Sequence, residues 1–136
     1  MRKMMLVLLC LLPATAMAES LNVSDGWARA SIPGTENGAA YATLENPNSD
    51  AVKITSISSD ISDVAEVHRH VVSGDVMKME AVSPLVIAPG EIIKFQPGGH
   101  HFMLFDLNSP LKADESFSLI LHFDSGKQQK IQFTVQ

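Results

Sequence analysis

The chain has 136 residues, 46 % of them hydrophobic, with ten Lys and Arg against fifteen Asp and Glu, a formal charge of −5. That length supports one domain with a real core and is too short for two. The acidic balance offers no basic patch for nucleic acid, and a lone cysteine, Cys10, cannot close a disulfide within the chain.

The leader comes first. MRKMMLVLLCLLPATAMA opens with Arg2 and Lys3, continues apolar from Met4 to Leu12, breaks at Pro13 and ends in Ala16-Met17-Ala18. This is the charged start, apolar stretch and A-x-A site of a secretory signal, and the run is too short to span a bilayer. Residues 1–18 are expected to be cleaved, leaving one β domain over 19–136. Cys10 follows the bulky Leu9 after too short an apolar run to be a lipid-modified cysteine, so the signal reads as ordinary. Cleavage removes the only cysteine and four of the seven methionines, leaving Met77, Met79 and Met103. The mature chain keeps eight basic and fifteen acidic residues, a charge of −7. It has no further apolar segment of membrane-spanning length, so no membrane insertion is expected.

Beyond the leader, the pattern is strand after strand, with turn residues every 8 to 12 positions, as in a sandwich or barrel. A strand runs through WARA, then comes the loop SIPGTENG. GAAYATLEN alternates until Pro47-Asn48-Ser49-Asp50, and AVKITSIS alternates cleanly. VAEVHRHVV and DVMKMEAV follow, separated by Ser73-Gly74. VSPLVIAPG reads as a loop, EIIKFQ as a strand and Pro97-Gly98-Gly99 as a turn. HHFMLFDL, SFSLILHF and KQQKIQFTV are the last three strands. No long 3.6-residue period and no repeat occurs, so the expected architecture is all-β with antiparallel neighbours.

The chemistry is concentrated in one half. All five histidines and the three remaining methionines lie at or beyond position 68. His68 and His70, Met77 and Met79, and His101 and Met103 are each two apart, so each pair projects from one face of its strand. A turn centred between Ser73 and Gly74 puts His70 opposite Met77 and His68 opposite Met79, with Cβ atoms roughly 4.5–5.5 Å apart. A bulged turn at Gly74 would move each partner by one. Taken singly, Met77 or Met79 is more often core filler, since methionine suits irregular gaps. His122 reads as structural, and His100 is out of phase with His101 and belongs to the opposite face. As a set they resist that reading, because every buried imidazole brings a nitrogen that must be hydrogen-bonded.

Thioether sulfur is soft and neutral, and together with imidazole it suits Cu(I) better than zinc, calcium or magnesium. The mature chain has no thiolate of the kind zinc sites draw on, and no Asp-x-Asp loop for calcium. In an oxidising compartment a methionine, unlike a thiol, cannot be consumed as a disulfide.

The spacing His68, ten residues, Met79, twenty-one residues, His101, one residue, Met103 reads H-x10-M-x21-H-x-M. It resembles the signature of the periplasmic copper chaperone family called PCuAC, whose members bind Cu(I) and help deliver it to respiratory oxidases. WARASIPGTENGAAYATLENP, VMKM and PGGHHFMLFDLNSPLK resemble that family too, so the likeness covers nearly the whole mature chain. It implies a cupredoxin-like Greek-key β-barrel or sandwich, with His68, Met79, His101 and Met103 as copper ligands and His70 and Met77 as auxiliaries. At position 70 the family often has methionine, and the imidazole of His70 accepts either oxidation state of copper. The chain ends at QFTVQ without a His/Met-rich tail, so one principal site is expected.

The resemblance implies a periplasmic protein that hands Cu(I) to a recipient cuproprotein, such as a terminal oxidase subunit, or to another copper chaperone. Copper scavenging or storage, and a copper-dependent redox protein, are the alternatives. A blue-copper carrier is excluded, because it needs a cysteine thiolate. A metal-free exported interaction module is the remaining class. No G-x-S-x-G, H-E-x-x-H or phosphate-cradling glycine loop points to an enzyme.

Overall fold

The computed structural model describes residues 20–136, so the signal sequence and its cleavage after Ala18 lie outside the described residues. Ten strands follow in chain order. They are β1 (Asn22–Ala28), β2 (Gly38–Glu45), β3 (Val52–Ser58), β4 (Ser62–Ser73) and β5 (Val76–Ala81). Then come β6 (Leu85–Ile87), β7 (Ile92–Lys94), β8 (His101–Leu107), β9 (Ser116–Phe123) and β10 (Gln128–Val135). No helix among the described residues is long and apolar enough to cross a membrane.

Alternation makes the strands. Along β9 every second residue, Phe117, Leu119, Leu121 and Phe123, is buried, as a period of two requires when one face meets a core. Four phenylalanines join the opposing walls of that core. Phe95 stacks on Phe102 with ring centroids 4.3 Å apart, Phe102 meets Phe133 edge-on at 5.7 Å, and Phe133 stacks on Phe117 at 5.3 Å. Such pairs contribute roughly 0.5–1.5 kcal/mol each beyond the area they bury.

Seven strands close into a barrel in the order β4-β8-β2-β1-β10-β9-β3, with β3 returning to β4. β3, β4 and β8 lie side by side and β2 returns beside β8, which is the Greek-key order. The antiparallel expectation holds at every barrel pairing but one, the parallel pair β1–β10. A ring of seven strands cannot alternate direction all the way round, so one pair must be parallel. The closure falls where the first strand meets the last.

The three short strands extend the wall: β5 pairs with β4, β6 with β3 and β7 with β2. β6 lies within the segment expected to be a loop. Leu85 and Ile87 are buried at 5 % and 0 % exposure against β3, but the flanking Pro84 and Pro89 conceal so short an alternation. β4 has two jobs. Its first half pairs with β8 in the barrel, and from His68 to Ser73 it pairs with β5 as a projecting two-stranded arm. Every residue of β5 is exposed.

Candidate metal centre

The arm's register departs from the expectation. Ser73 pairs with Val76 around a two-residue turn of Gly74 and Asp75, with Gly74 at a φ of 63°. Positive φ at the first turn residue is where glycine is favoured, and this turn twists with the arm. His70 therefore faces Met79, and His68 faces Ala81 rather than Met79. Each partner slides by two positions, so the side chains keep their face.

On the other edge of β4, His68 pairs directly with His101 and Glu66 with Met103. The outer face thus carries three rows. His68 and His101 form the middle row, His70 and Met79 lie beyond it toward the arm's tip, and Glu66 and Met103 lie on the barrel side. The His68 and His101 rings are 5.7 Å apart. His70 sits one row past the start of β8, yet its ring lies 5.4 Å from that of His101. Diagonal neighbours across a strand pair are within reach of ring side chains, so His70 joins the cluster. Met79 reaches His68 only diagonally, and Met79 and Met103 stand on opposite sides of the histidine row. Along the strand direction that is four residues, roughly 13 Å at the usual rise.

Exposure separates the methionines from core filler. Met77 is 62 % and Met79 53 % exposed. Met103 is partly buried beside Ala39, with which it pairs on β2. The imidazoles show the opposite trend: His101 is only 4 % exposed. Burial pushes the His101 pKa down, the Gly99 carbonyl pulls it back up, and the neighbouring His68, His70 and His100 lower it further. A lowered pKa favours the neutral ring, the form that can donate a lone pair to a metal.

The nitrogens are partly spoken for. His101 Nδ1 lies 3.4 Å from the Gly99 carbonyl oxygen, a long contact that leaves Nε2 open. His68 Nε2 lies 2.7 Å from Glu66 Oε2, and His68 Nδ1 is buried with no hydrogen-bond partner. Sequence reasoning did not single out Glu66. The available signal was its parity, since Glu66, His68 and His70 alternate on one strand face.

His100 lies across the sheet from this cluster, its ring 5.4 Å from Phe95, and its pKa is lowered by burial and by Arg69 against the pull of Glu91. His122 is remote and structural, with Nε2 2.8 Å from Ser58 Oγ. Among the described residues no three His, Cys, Asp or Glu side chains converge to hold a metal by themselves. Three imidazoles, those of His68, His70 and His101, flanked by thioethers are what this face offers, a donor set suited to a soft cation.

Solved structures share this fold. A copper-bound PCuAC domain from PmoF2 superposes with a TM-score of 0.71 at 17 % identity, over 88 % of this chain and 95 % of that one. An apo PCuAC domain from PmoF1 gives 0.70 at 22 % identity, over 85 % and 92 %. Cu(I)-bound DR1885 from Deinococcus radiodurans gives 0.70 at 26 % identity, over 90 % and 83 %. The molecule is a PCuAC-type, cupredoxin-like β-barrel domain. A family model described as "Putative lipoprotein LpqE-like" matches residues 21–135, and the chain belongs to that family. A curated relative, "Putative lipoprotein Lxx21020" of Leifsonia xyli subsp. xyli, is 29 % identical over 131 residues, 92 % of this chain and 78 % of its own. Both are named as putative lipoproteins; Cys10, the one cysteine of the sequence, lies outside the described residues.

Proposed function

We propose that this protein is an exported, periplasmic copper chaperone that binds Cu(I) on the outer face of its barrel and passes it to a cuproprotein or to another chaperone. His68 and His101 supply nitrogen, Met103 supplies sulfur from the barrel wall, and Met79 supplies sulfur from the arm. His70 and Met77 are auxiliary donors on the same face. The observation that carries this reading is the exposure of Met77 and Met79 on the face that holds the buried His101 and the half-buried His68 and His70. An apolar side chain left in water gains nothing for folding, and a soft sulfur there is free to meet a metal.

The geometry suits transfer rather than catalysis. Thioethers are neutral, so each can leave copper without separating charge, and the arm presents its sulfur to an incoming partner. A partner's ligands can then replace the arm's donor first and the buried His101 last. The solved relative DR1885 is described as a Cu(I) form, which supports the choice of oxidation state. An oxidase copper centre is the recipient class this reading favours.

Competition titration with a chromophoric Cu(I) chelator tests this. The wild-type chain takes up one Cu(I). Replacing Met79 and Met103 together by Leu preserves volume and removes both sulfurs. Affinity then falls by about 100-fold or more, roughly 2.8 kcal/mol at 1.4 kcal/mol per decade. Unchanged affinity in that double variant sinks the assignment.

A further inference from the structure

A buried ring nitrogen without a partner demands an explanation, and His68 Nδ1 is one of two such side-chain atoms among the described residues. Its other nitrogen is committed. A carboxylate can only accept, so the 2.7 Å contact between His68 Nε2 and Glu66 Oε2 puts the hydrogen on Nε2. The lone pair then resides on Nδ1. Were Nδ1 to carry the hydrogen instead, a buried donor would be left without an acceptor, at about 1–3 kcal/mol.

The surroundings fit that assignment. The His68 ring lies between His101 and Phe105, each with its centroid 5.7 Å away. The His68 side chain is 14 % exposed and that of Glu66 46 %, so the carboxylate is accessible while the ring it holds is sheltered. Glu66 also pairs across the sheet with Met103, and so stands between one thioether and one imidazole of the cluster. Histidine ligands are commonly oriented by a carboxylate on the nitrogen that does not bind metal.

We propose that Glu66 is a positioning residue: its carboxylate holds His68 in the Nε2–H tautomer and presents Nδ1 as the copper donor. This rests on the copper reading above. It adds that the two histidines bind through different nitrogens, His68 through Nδ1 and His101 through Nε2.

Long-range 1H–15N correlation on protein with 15N-labelled histidine tests it directly, because Cu(I) is diamagnetic. In apo wild type, His68 shows a protonated Nε2 and a bare Nδ1. On loading with Cu(I), the Nδ1 resonance moves and the Nε2–H persists. Glu66→Ala mixes the tautomers and weakens Cu(I) binding by about 10–100-fold. Glu66→Gln restores the apo tautomer, since its amide oxygen accepts the same hydrogen, and recovers most of the affinity. Both substitutions are at a half-exposed side chain, and circular dichroism confirms the fold of each variant.

Cu(I) bound to Nε2 of His68 overturns the proposal, and so does a Glu66→Ala variant with wild-type tautomer and affinity. A Glu66→Ala variant that binds more tightly also overturns it, because Glu66 would then be competing with copper for Nε2. Absence of Cu(I) binding by wild type overturns the chaperone function itself. The apo tautomer still reads the Glu66 contact in that case.

Discussion

Asn46 shows how much a single polar side chain can hold. It is fully buried, and its Nδ2 donates to the carbonyls of Asp50 and Ile87, each at 2.9 Å. Its Oδ1 accepts from the Asn48 backbone N–H and from Asn48 Nδ2, also at 2.9 Å. These bonds tie the end of β2 to the following turn and to β6. Asn46→Ala strands the buried Ile87 carbonyl, and the expected loss is about 1–3 kcal/mol of unfolding free energy, measured by urea denaturation. In the sequence, LENPNSD signals only that a strand stops. Nothing local says that its asparagine turns inward, because the partner carbonyl at Ile87 is 41 residues away. His68, Met79, His101 and Met103 were more legible, since two-residue spacing assigns a face without knowledge of neighbours.

At the scale of elements, β1 illustrates what alternation cannot reveal. Its pairing with β2 slips between Ser24 and Trp27, where Asp25 takes a φ of 55°. This bulge presses Gly26 against the last strand: a Cβ there would lie 2.3 Å from the Gln132 carbonyl oxygen. Backbone cannot yield as a side-chain tip can, so Gly26→Ala is expected to destabilise by about 1–3 kcal/mol. Thermal melting should show the drop, and a variant melting with wild type would refute the close approach. The arm teaches the same lesson about register. Its two strands and their facing residues were readable from HRHVV and VMKM, but the partners depended on whether the turn centre lay at Ser73-Gly74 or at Gly74-Asp75. The positive φ of Gly74 decided that.

Across the whole molecule, the buried His101 and the half-buried His100 link stability to pH. His100 and His101 both have pKa values below the ordinary 6.5, chiefly because burial disfavours the charged ring. The unfolded chain therefore binds more protons than the folded one between the lowered and the ordinary values. Unfolding free energy rises with pH across that window. The stabilisation is fully present above about pH 6.5 and is lost as pH falls through the folded values. Chemical denaturation of the apo protein at a series of pH values should show the midpoint dropping on acidification from neutral. A flat profile between pH 7 and 5 would contradict this.

The sequence by itself determined the all-β class, most strand positions, and which His and Met side chains share a strand face, because each depends on local periodicity and composition. Tertiary structure alone decided the parallel β1–β10 closure, the β6 strand and the arm's partners. Each of these depends on strands meeting across the sheet, where a shift of one or two residues changes every neighbour without altering the local pattern. Chemistry could be assigned to a face from one strand at a time, but the arrangement of donors around His68 required three strands together.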